Sequence, residues 1–305
     1  AFPFLGETGS ELAIFIPRVI TSIFAIFSLK IIVDVIGIGD AKLVHKLLVA
    51  LFVVSFSGYW TNATWMHPDF MMISFILLSH YSLSLGSYYR SIIWFAIALS
   101  VKFQAILFVP VIVGYLLIKN WGSSTLFQII KIAIKTFVIV IVIYLFLNPH
   151  LMHPVGFDAW MDDMRYNMSS NMTNHGKSSV PSLGEKLLVF DVFFFPSVLF
   201  LFLLVYSLFV FVIRKKNQLT SVHLASIYII SNSLYFALFV NKAMVHYYLP
   251  LAIFSVFVLY DAVCSISANI KKYKINVTVL LLAITIFNLM LSLPQLKEIF
   301  QLRVL

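Results

Sequence analysis

An acidic residue opens one of the apolar helices that the sequence predicts, in the stretch TNATWMHPDF at positions 61–70. Pro68 suits a first helical position, and a carboxylate at Asp69 in the first turn would offset the helix dipole, which is a purely structural role. Aromatic residues such as Trp65 flank it, as at a membrane edge, and an ionisable group there is a candidate functional residue. Both interpretations of Asp69 stay open, and His67 lies two residues before it.

Three further side chains are candidates for binding an anion near a membrane surface. Lys102 interrupts the apolar run ALSVKFQAILF, and Lys242 and His246 precede an apolar helix in NKAMVHYYLPLAIF. Lysine and histidine donate hydrogen bonds to the phosphate of a lipid headgroup. The alternative is ordinary anchoring at the membrane–water interface, to which the neighbouring Tyr247 and Tyr248 are also suited.

The long polar stretch at 148–191 predicts a loop with a helix inside it. Its large apolar side chains recur at helical spacing and indicate a short amphipathic helix on the membrane surface. Such a helix is an interfacial anchor or a lid over a lipid-facing cavity. Arg165 lies on this helix, and His175 follows it next to Gly176 and Lys177, where a phosphate could bind unless the stretch is simply a solvated loop. The apolar side chains are Phe157, Trp160, Met161, Met164 and Met168.

The composition places all of these residues in a membrane protein. Of 305 residues, 61% are hydrophobic and 11% are charged, and the mean hydropathy is +1.00. Soluble domains have roughly 45–50% apolar and 25% charged residues, so a soluble domain and a disordered chain are excluded. The net charge of +9 would suit nucleic acid, but in a membrane protein it indicates cytoplasmic loops rich in Lys and Arg, and we expect no nucleic-acid partner.

The apolar runs predict an all-α fold, a polytopic transmembrane helix bundle of about ten crossings in a single domain over 1–305. A charge in the middle of a membrane helix costs roughly 2.5–3.5 kcal/mol on insertion scales, so we expect one short helix to end near Lys102 and another to begin there. The predicted spans are 12–38, 43–61, 69–86, 91–101, 103–118, 125–147, 192–213, 221–240, 247–267 and 275–293.

Alternating these crossings puts 13 of the 21 basic residues on one side, which is then the cytoplasmic side. The long loop, Asp69 and most of the acidic residues fall on the other, exoplasmic side. An unbroken helix through Lys102 would reverse every later segment and place the RKK and KKYK clusters outside, so the charge distribution favours the break.

The sequence marks no dedicated metal site. Cys264 is the single cysteine and lies in an apolar run, which is typical of a buried structural residue. His150 and His153 have no third ligand at a fixed spacing. We therefore predict no metal ligands and no certain cofactor, and leave open a divalent cation held by carboxylates and a phosphate.

Four segments, in order, resemble glycosyltransferases of the GT-C superfamily that use polyprenyl-phosphate sugars, such as protein O-mannosyltransferases and bacterial lipid A aminoarabinose transferases. Residues 16–37 resemble their second transmembrane helix, and 67–86 resemble a helix that opens with an acidic residue at the exoplasmic face. Residues 96–117 resemble paired short helices around a lysine, and 241–254 resemble a segment in which Lys precedes Tyr-Leu-Pro.

The resemblance implies a membrane enzyme that moves a sugar from a dolichyl or undecaprenyl phosphate carrier to a lipid, glycan or protein acceptor, with inversion. The family's principal catalytic carboxylate lies ahead of the helix matched by 16–37, so we expect it upstream of Ala1; Glu7 and Glu11 are nearest but do not match its motif. Such a chain would work at the exoplasmic face of a membrane, which we expect to be the plasma membrane of a prokaryote in preference to the endoplasmic reticulum.

Within this chain we predict Asp69 as the catalytic acid, either helping the base or holding a metal. The predicted contacts to the donor phosphate and headgroup are His67, Lys102, Arg165, His175, Lys242 and His246. Two other classes of protein remain open: a transporter or lipid flippase, which would need charges lining a path between both faces, and a non-catalytic membrane subunit.

Overall fold

The protein, described here from a computed structural model, is all-helical over its described residues, which are 7–38, 41–64, 67–120, 126–173, 181–213, 219–269 and 276–301. Two short 3₁₀ segments, η1 (Phe103–Phe108) and η2 (Pro149–Met152), accompany thirteen α-helices in these ranges. The helices are α1 Glu7–Gly37, α2 Leu43–Val54, α3 Ser57–Ala63, α4 Asp69–Ser84, α5 Tyr88–Val101, α6 Val109–Asn120, α7 Leu126–Leu147, α8 Pro154–Thr173, α9 Leu183–Phe193, α10 Ser197–Ile213, α11 Ser221–Leu238, α12 Val245–Asn269 and α13 Val277–Gln301.

Several of these helices are long and apolar enough to cross a bilayer, as expected for an integral membrane protein. Within the described ranges, five helices meet this criterion alone, namely α1, α7, α11, α12 and α13, and two bent pairs raise the number to seven. In the first pair, α2 and α3 meet at 72°, so the predicted span 43–61 is broken. Ser55 lies at the break and its hydroxyl donates to the carbonyl of Phe52 at 2.6 Å, a local bond that favours bending.

The second bent pair corrects the predicted span 192–213. Helix α9 ends at Phe193 and α10 begins at Ser197, with 107° between them. Pro196 disfavours a continuous helix through its predecessor, and the carboxylate of Asp191 accepts a hydrogen bond from the Ser197 amide at 2.7 Å. The apolar run in the sequence could not show this corner, because both arms are apolar.

The predicted break at Lys102 is confirmed. Helix α5 ends at Val101, Lys102 is extended (φ −155°, ψ 125°), and η1 then leads into α6. The two arms run antiparallel, since Tyr88 at the start of α5 stacks on Tyr115 near the end of α6 with ring centroids 6.0 Å apart. Lys102 therefore lies at the tip of a helical hairpin instead of in the middle of a helix.

The most buried of the spanning helices is α12, and the least buried is α7. Aromatic side chains fill the space around α12: Phe254 stacks on Tyr228 of α11 at 4.1 Å and lies 6.1 Å from Phe108. Helix α7 turns most of its apolar side chains outward, as a lipid-facing helix does.

Three connections meet at one end of the bundle, which we call the cavity end: those between α3 and α4, between α5 and η1, and between α11 and α12. The first is fixed on α1, where Ser22 donates to the carbonyl of Ala63 at 3.0 Å. The helix predicted in the long loop is confirmed as α8, while its place on a membrane surface stays a prediction. Helix α8 lies at the same end, since the centroid of the Trp160 ring is 6.5 Å from that of Phe103 in η1, and Trp160 donates to the hydroxyl of Tyr144 at 3.1 Å. Gly156 permits this corner, because a Cβ there would collide with the His150 carbonyl.

Candidate functional site

A buried ion pair joins two of the predicted site residues. Asp69 is the first residue of α4 and its side chain is 0% exposed; its Oδ1 accepts a hydrogen bond from Lys102 Nζ at 2.6 Å. The lysine side chain is 21% exposed. The extended backbone at Lys102 ends α5 beside the start of α4, so the hairpin tip brings together charges 33 residues apart in sequence. A buried pair is costly to break, because removing one partner strands the other charge.

Two histidines lie against this pair. His67 is 47% exposed, and its Nδ1 is 3.4 Å from Asp69 Oδ2, which places a protonated imidazole within ion-pair range. Oδ2 itself has no hydrogen-bond partner among the described residues. The His67 ring stacks on that of His246, in the first turn of α12, with centroids 5.2 Å apart. His246 in turn lies within electrostatic range of Asp69, Lys102 and Lys242.

Lys242 ties the connection between α11 and α12 to α8. It is buried, and its Nζ donates to the hydroxyl of Ser170 at 2.7 Å and lies 5.9 Å from the centre of the Tyr247 ring. Burial lowers the pKa of the Lys242 ammonium below its usual value. The predicted headgroup contacts Lys102, Lys242 and His246 thus lie at the same end of the bundle.

A cavity of about 370 Å³ adjoins the ion pair and is covered by α8. We call it the polar cavity, because its wall carries the side chains of Lys102, Gln104, Asp163 and Asn167. Both amide atoms of Gln104 are buried without a hydrogen-bond partner among the described residues. The remaining lining is largely apolar: Val101, Phe103, Ile106, Leu107, Met164, Met168, Tyr235, Phe236, Val240 and Tyr247.

A second, larger cavity shares part of its wall with the polar cavity. This apolar cavity has a volume of about 640 Å³ and lies between α5, α6 and α7, with Phe157 and Trp160 of α8 at its upper edge. Phe103 and Ile106 line both cavities. The two cavities together therefore place a charged compartment next to an apolar one. An amphiphile with an anionic head requires this arrangement.

Of the predicted phosphate and headgroup contacts in the described part of the chain, only Lys102 lines one of these two cavities; His67, Lys242 and His246 lie at the same end of the bundle but line neither cavity. Arg165 lines neither cavity; it is exposed on α8 and pairs with Asp162, also exposed, at 3.4 Å. His175 lies outside the described residues, as do the side chains of Glu7 and Glu11.

Sequence reasoning missed Gln104, Asp163, Asn167 and Ser170. Gln104 carried a usable signal, since it is a polar residue two positions from Lys102 in an apolar run. The sequence carried no signal for the three residues of α8, because only the rotation of that helix against its neighbours decides which polar side chains face the cavity.

In the described part of the chain, no group of three or more His, Cys, Asp or Glu residues is placed to hold a metal ion. The divalent cation left open by the sequence therefore has no ligand set assigned to it. Comparisons of the chain with protein-family models, with curated proteins and with solved structures find no match.

Proposed function

We propose that this protein is a membrane glycosyltransferase that moves a sugar from a polyprenyl-phosphate carrier to an acceptor, with inversion. The observation that carries the proposal is the Lys102–Asp69 pair at the wall of a polar cavity that adjoins a large apolar one. A donor of this class needs a cation for its phosphate, polar groups for its sugar and hydrocarbon surroundings for its lipid. The resemblance of four ordered segments to the GT-C superfamily supports the same class.

The proposed topology has ten crossings with the cavity end exoplasmic. The crossings are α1, the α2–α3 pair, α4, α5, η1 with α6, α7, the α9–α10 pair, α11, α12 and α13. This assignment keeps α5 and α6 as separate short crossings, in agreement with their antiparallel packing. It also leaves most of the basic residues at the cytoplasmic end, as the positive-inside rule requires.

In the proposed reaction an acceptor hydroxyl attacks the anomeric carbon of the sugar from the face opposite the phosphate. The bond from that carbon to the phosphate oxygen breaks, and the polyprenyl phosphate leaves with the electron pair. The acceptor's proton passes to a general base, which the resemblance places in a carboxylate ahead of residues 16–37. Lys102 stabilises the negative charge on the leaving phosphate.

Asp69 acts in this scheme as a positioning residue. Its carboxylate has no exposed surface, so it reaches a substrate only through its neighbours, by holding the Lys102 ammonium at the cavity wall and facing the His67 imidazole. This role differs from the catalytic one predicted from the sequence, in which the Asp69 carboxylate helps the base or holds a metal. Lys242 extends the positive side of the site, His246 adds a buried imidazole beside it, and α8 serves as its lid.

The test uses the full-length natural protein in vesicles with a radiolabelled polyprenyl-phosphate sugar and extracted acceptors. Wild-type protein should transfer label, while Asp69→Asn and Lys102→Gln should lose at least about 100-fold, as expected when a group that stabilises transition-state charge is lost. The matched control is Asp34→Asn, which breaks the exposed Lys30–Asp34 pair, also 2.6 Å long, and should keep full activity. Movement of intact labelled donor across the bilayer without transfer would instead make the protein a flippase, and binding without transfer would make it a non-catalytic subunit; either result refutes the proposal.

A further inference from the structure

Outside the proposed donor site, one buried lysine has no carboxylate partner within the described ranges. Lys186 of α9 is 6% exposed, and its Nζ donates to the carbonyl oxygens of Phe236 at 3.0 Å and Ala237 at 3.4 Å, near the end of α11. These carbonyls are the negative end of the α11 dipole, which favours a cation. They carry only partial charge, however, and Lys186 has no carboxylate partner among the described residues. Buried charges are normally paired, so the protein itself leaves this positive charge only partly compensated.

An apolar groove of about 300 Å³ adjoins Lys186 between α9, α10 and α11. Leu201, Leu204 and Leu208 form one wall over eight residues of α10, which is roughly 10 Å of helix. Leu201 and Leu208 are also exposed, so the groove opens to the outside of the bundle, where lipid surrounds a membrane protein. The hydroxyl of Ser233, in the opposite wall, is buried without a partner among the described residues.

We propose that this groove binds one hydrocarbon chain of an anionic phospholipid, with the lipid phosphate at Lys186. Two of the three ammonium protons point to the carbonyls of α11, and the third is available for a phosphate oxygen. Charge complementarity selects an anionic over a zwitterionic lipid, while the leucine wall accepts the chain. The site is distinct from the polar cavity, although Phe236 lines both, and it does not depend on the proposed glycosyl transfer.

Native mass spectrometry of the full chain tests this site by titration with phosphatidylglycerol and phosphatidylcholine of equal chain length. Wild-type protein should bind the anionic lipid about tenfold more tightly, the factor that one charge-assisted hydrogen bond supplies. Lys186→Gln should remove this preference and Lys186→Arg should keep it. The matched control Lys131→Gln, which removes an exposed cation from α7, should leave the preference unchanged.

A variant that fills the groove tests whether a lipid chain binds there, and it leaves the Lys186 charge in place. Ser233→Phe keeps Lys186 on the α11 carbonyls and should weaken binding of the tightest-bound phosphatidylglycerol about tenfold. If Lys186→Gln fails to fold, Ser233→Phe alone tests the site. Equal affinity of the wild type for the two lipids, equal losses in Lys186→Gln and Lys131→Gln, or unchanged affinity in Ser233→Phe would each overturn the site.

Discussion

The Asp69–Lys102 pair is asymmetric in its exposure, and this predicts unequal costs for removing its two charges. Asp69→Asn leaves the Lys102 ammonium without its partner. The Lys102 side chain is 21% exposed and borders a cavity, so water can solvate part of it. Lys102→Met leaves the Asp69 carboxylate without its partner, and this side chain is 0% exposed. Losing one partner of a buried pair costs roughly 3–5 kcal/mol, so we expect about 3 kcal/mol for Asp69→Asn and about 5 kcal/mol for Lys102→Met.

The double variant separates a stranded charge from lost packing. Asp69→Asn with Lys102→Met removes both charges and keeps similar side-chain volumes, so it should be more stable than Lys102→Met alone. Lowering the pH from 8 to 5 should also rescue Lys102→Met in part, because the buried Asp69 carboxylate, left without its cation, can take up a proton and become neutral. The wild type should show a smaller change over the same interval.

The assay is the free energy of unfolding in mixed detergent micelles, measured by far-ultraviolet circular dichroism for the wild type, both single variants and the double variant. The Asp34→Asn control should change stability by less than about 1 kcal/mol, since exposed pairs contribute little. Equal losses in the two single variants, or additive losses in the double variant, would refute the assignment of Asp69 as the fully desolvated partner.

Three other predictions follow from particular contacts. Gln104→Leu should raise KM for the donor sugar phosphate about tenfold with little change in kcat, because the buried Gln104 amide at the polar cavity would no longer bond sugar hydroxyls. Unchanged kinetics would show that Gln104 does not contact the donor. Gly156→Ala should loosen α8 and increase proteolysis within it, because the new methyl group meets a main-chain carbonyl; wild-type protection would contradict this. Burial lowers the pKa of Lys242, so the unfolded chain binds more protons as the pH approaches 10.5 from below, and stability should rise there in the wild type but not in Lys242→Met. Parallel pH profiles would show that Lys242 does not titrate across this interval.

Much of the fold could be predicted because its causes are local in sequence. The break at Lys102 follows from the cost of a charge inside a membrane helix, and α8 follows from apolar residues at helical spacing. The corner between α9 and α10 could not be placed, since hydropathy is the same on both sides of Pro196. Length and composition determine that a segment is a membrane helix, but the packing around it determines where it bends.

The candidate site could likewise be predicted only in part from the sequence. The sequence marked Asp69, Lys102, Lys242 and His246 as unusual by their type and surroundings, but each had several plausible partners. Arg165 shows the limit, because its chemistry suits a phosphate while the orientation of α8 leaves it in an exposed pair with Asp162.

The sequence by itself determined that the protein is an integral membrane protein and that it is helical, and it favoured a helix break at Lys102 over an unbroken helix. These conclusions depend on transfer free energies, which are properties of each segment alone. Only the tertiary structure decided that Lys102 binds Asp69, that Gln104 borders a cavity and that Lys186 lies buried against main-chain carbonyls of α11. Such contacts arise from the packing of helices distant in sequence, because desolvation of a charge depends on everything that surrounds it.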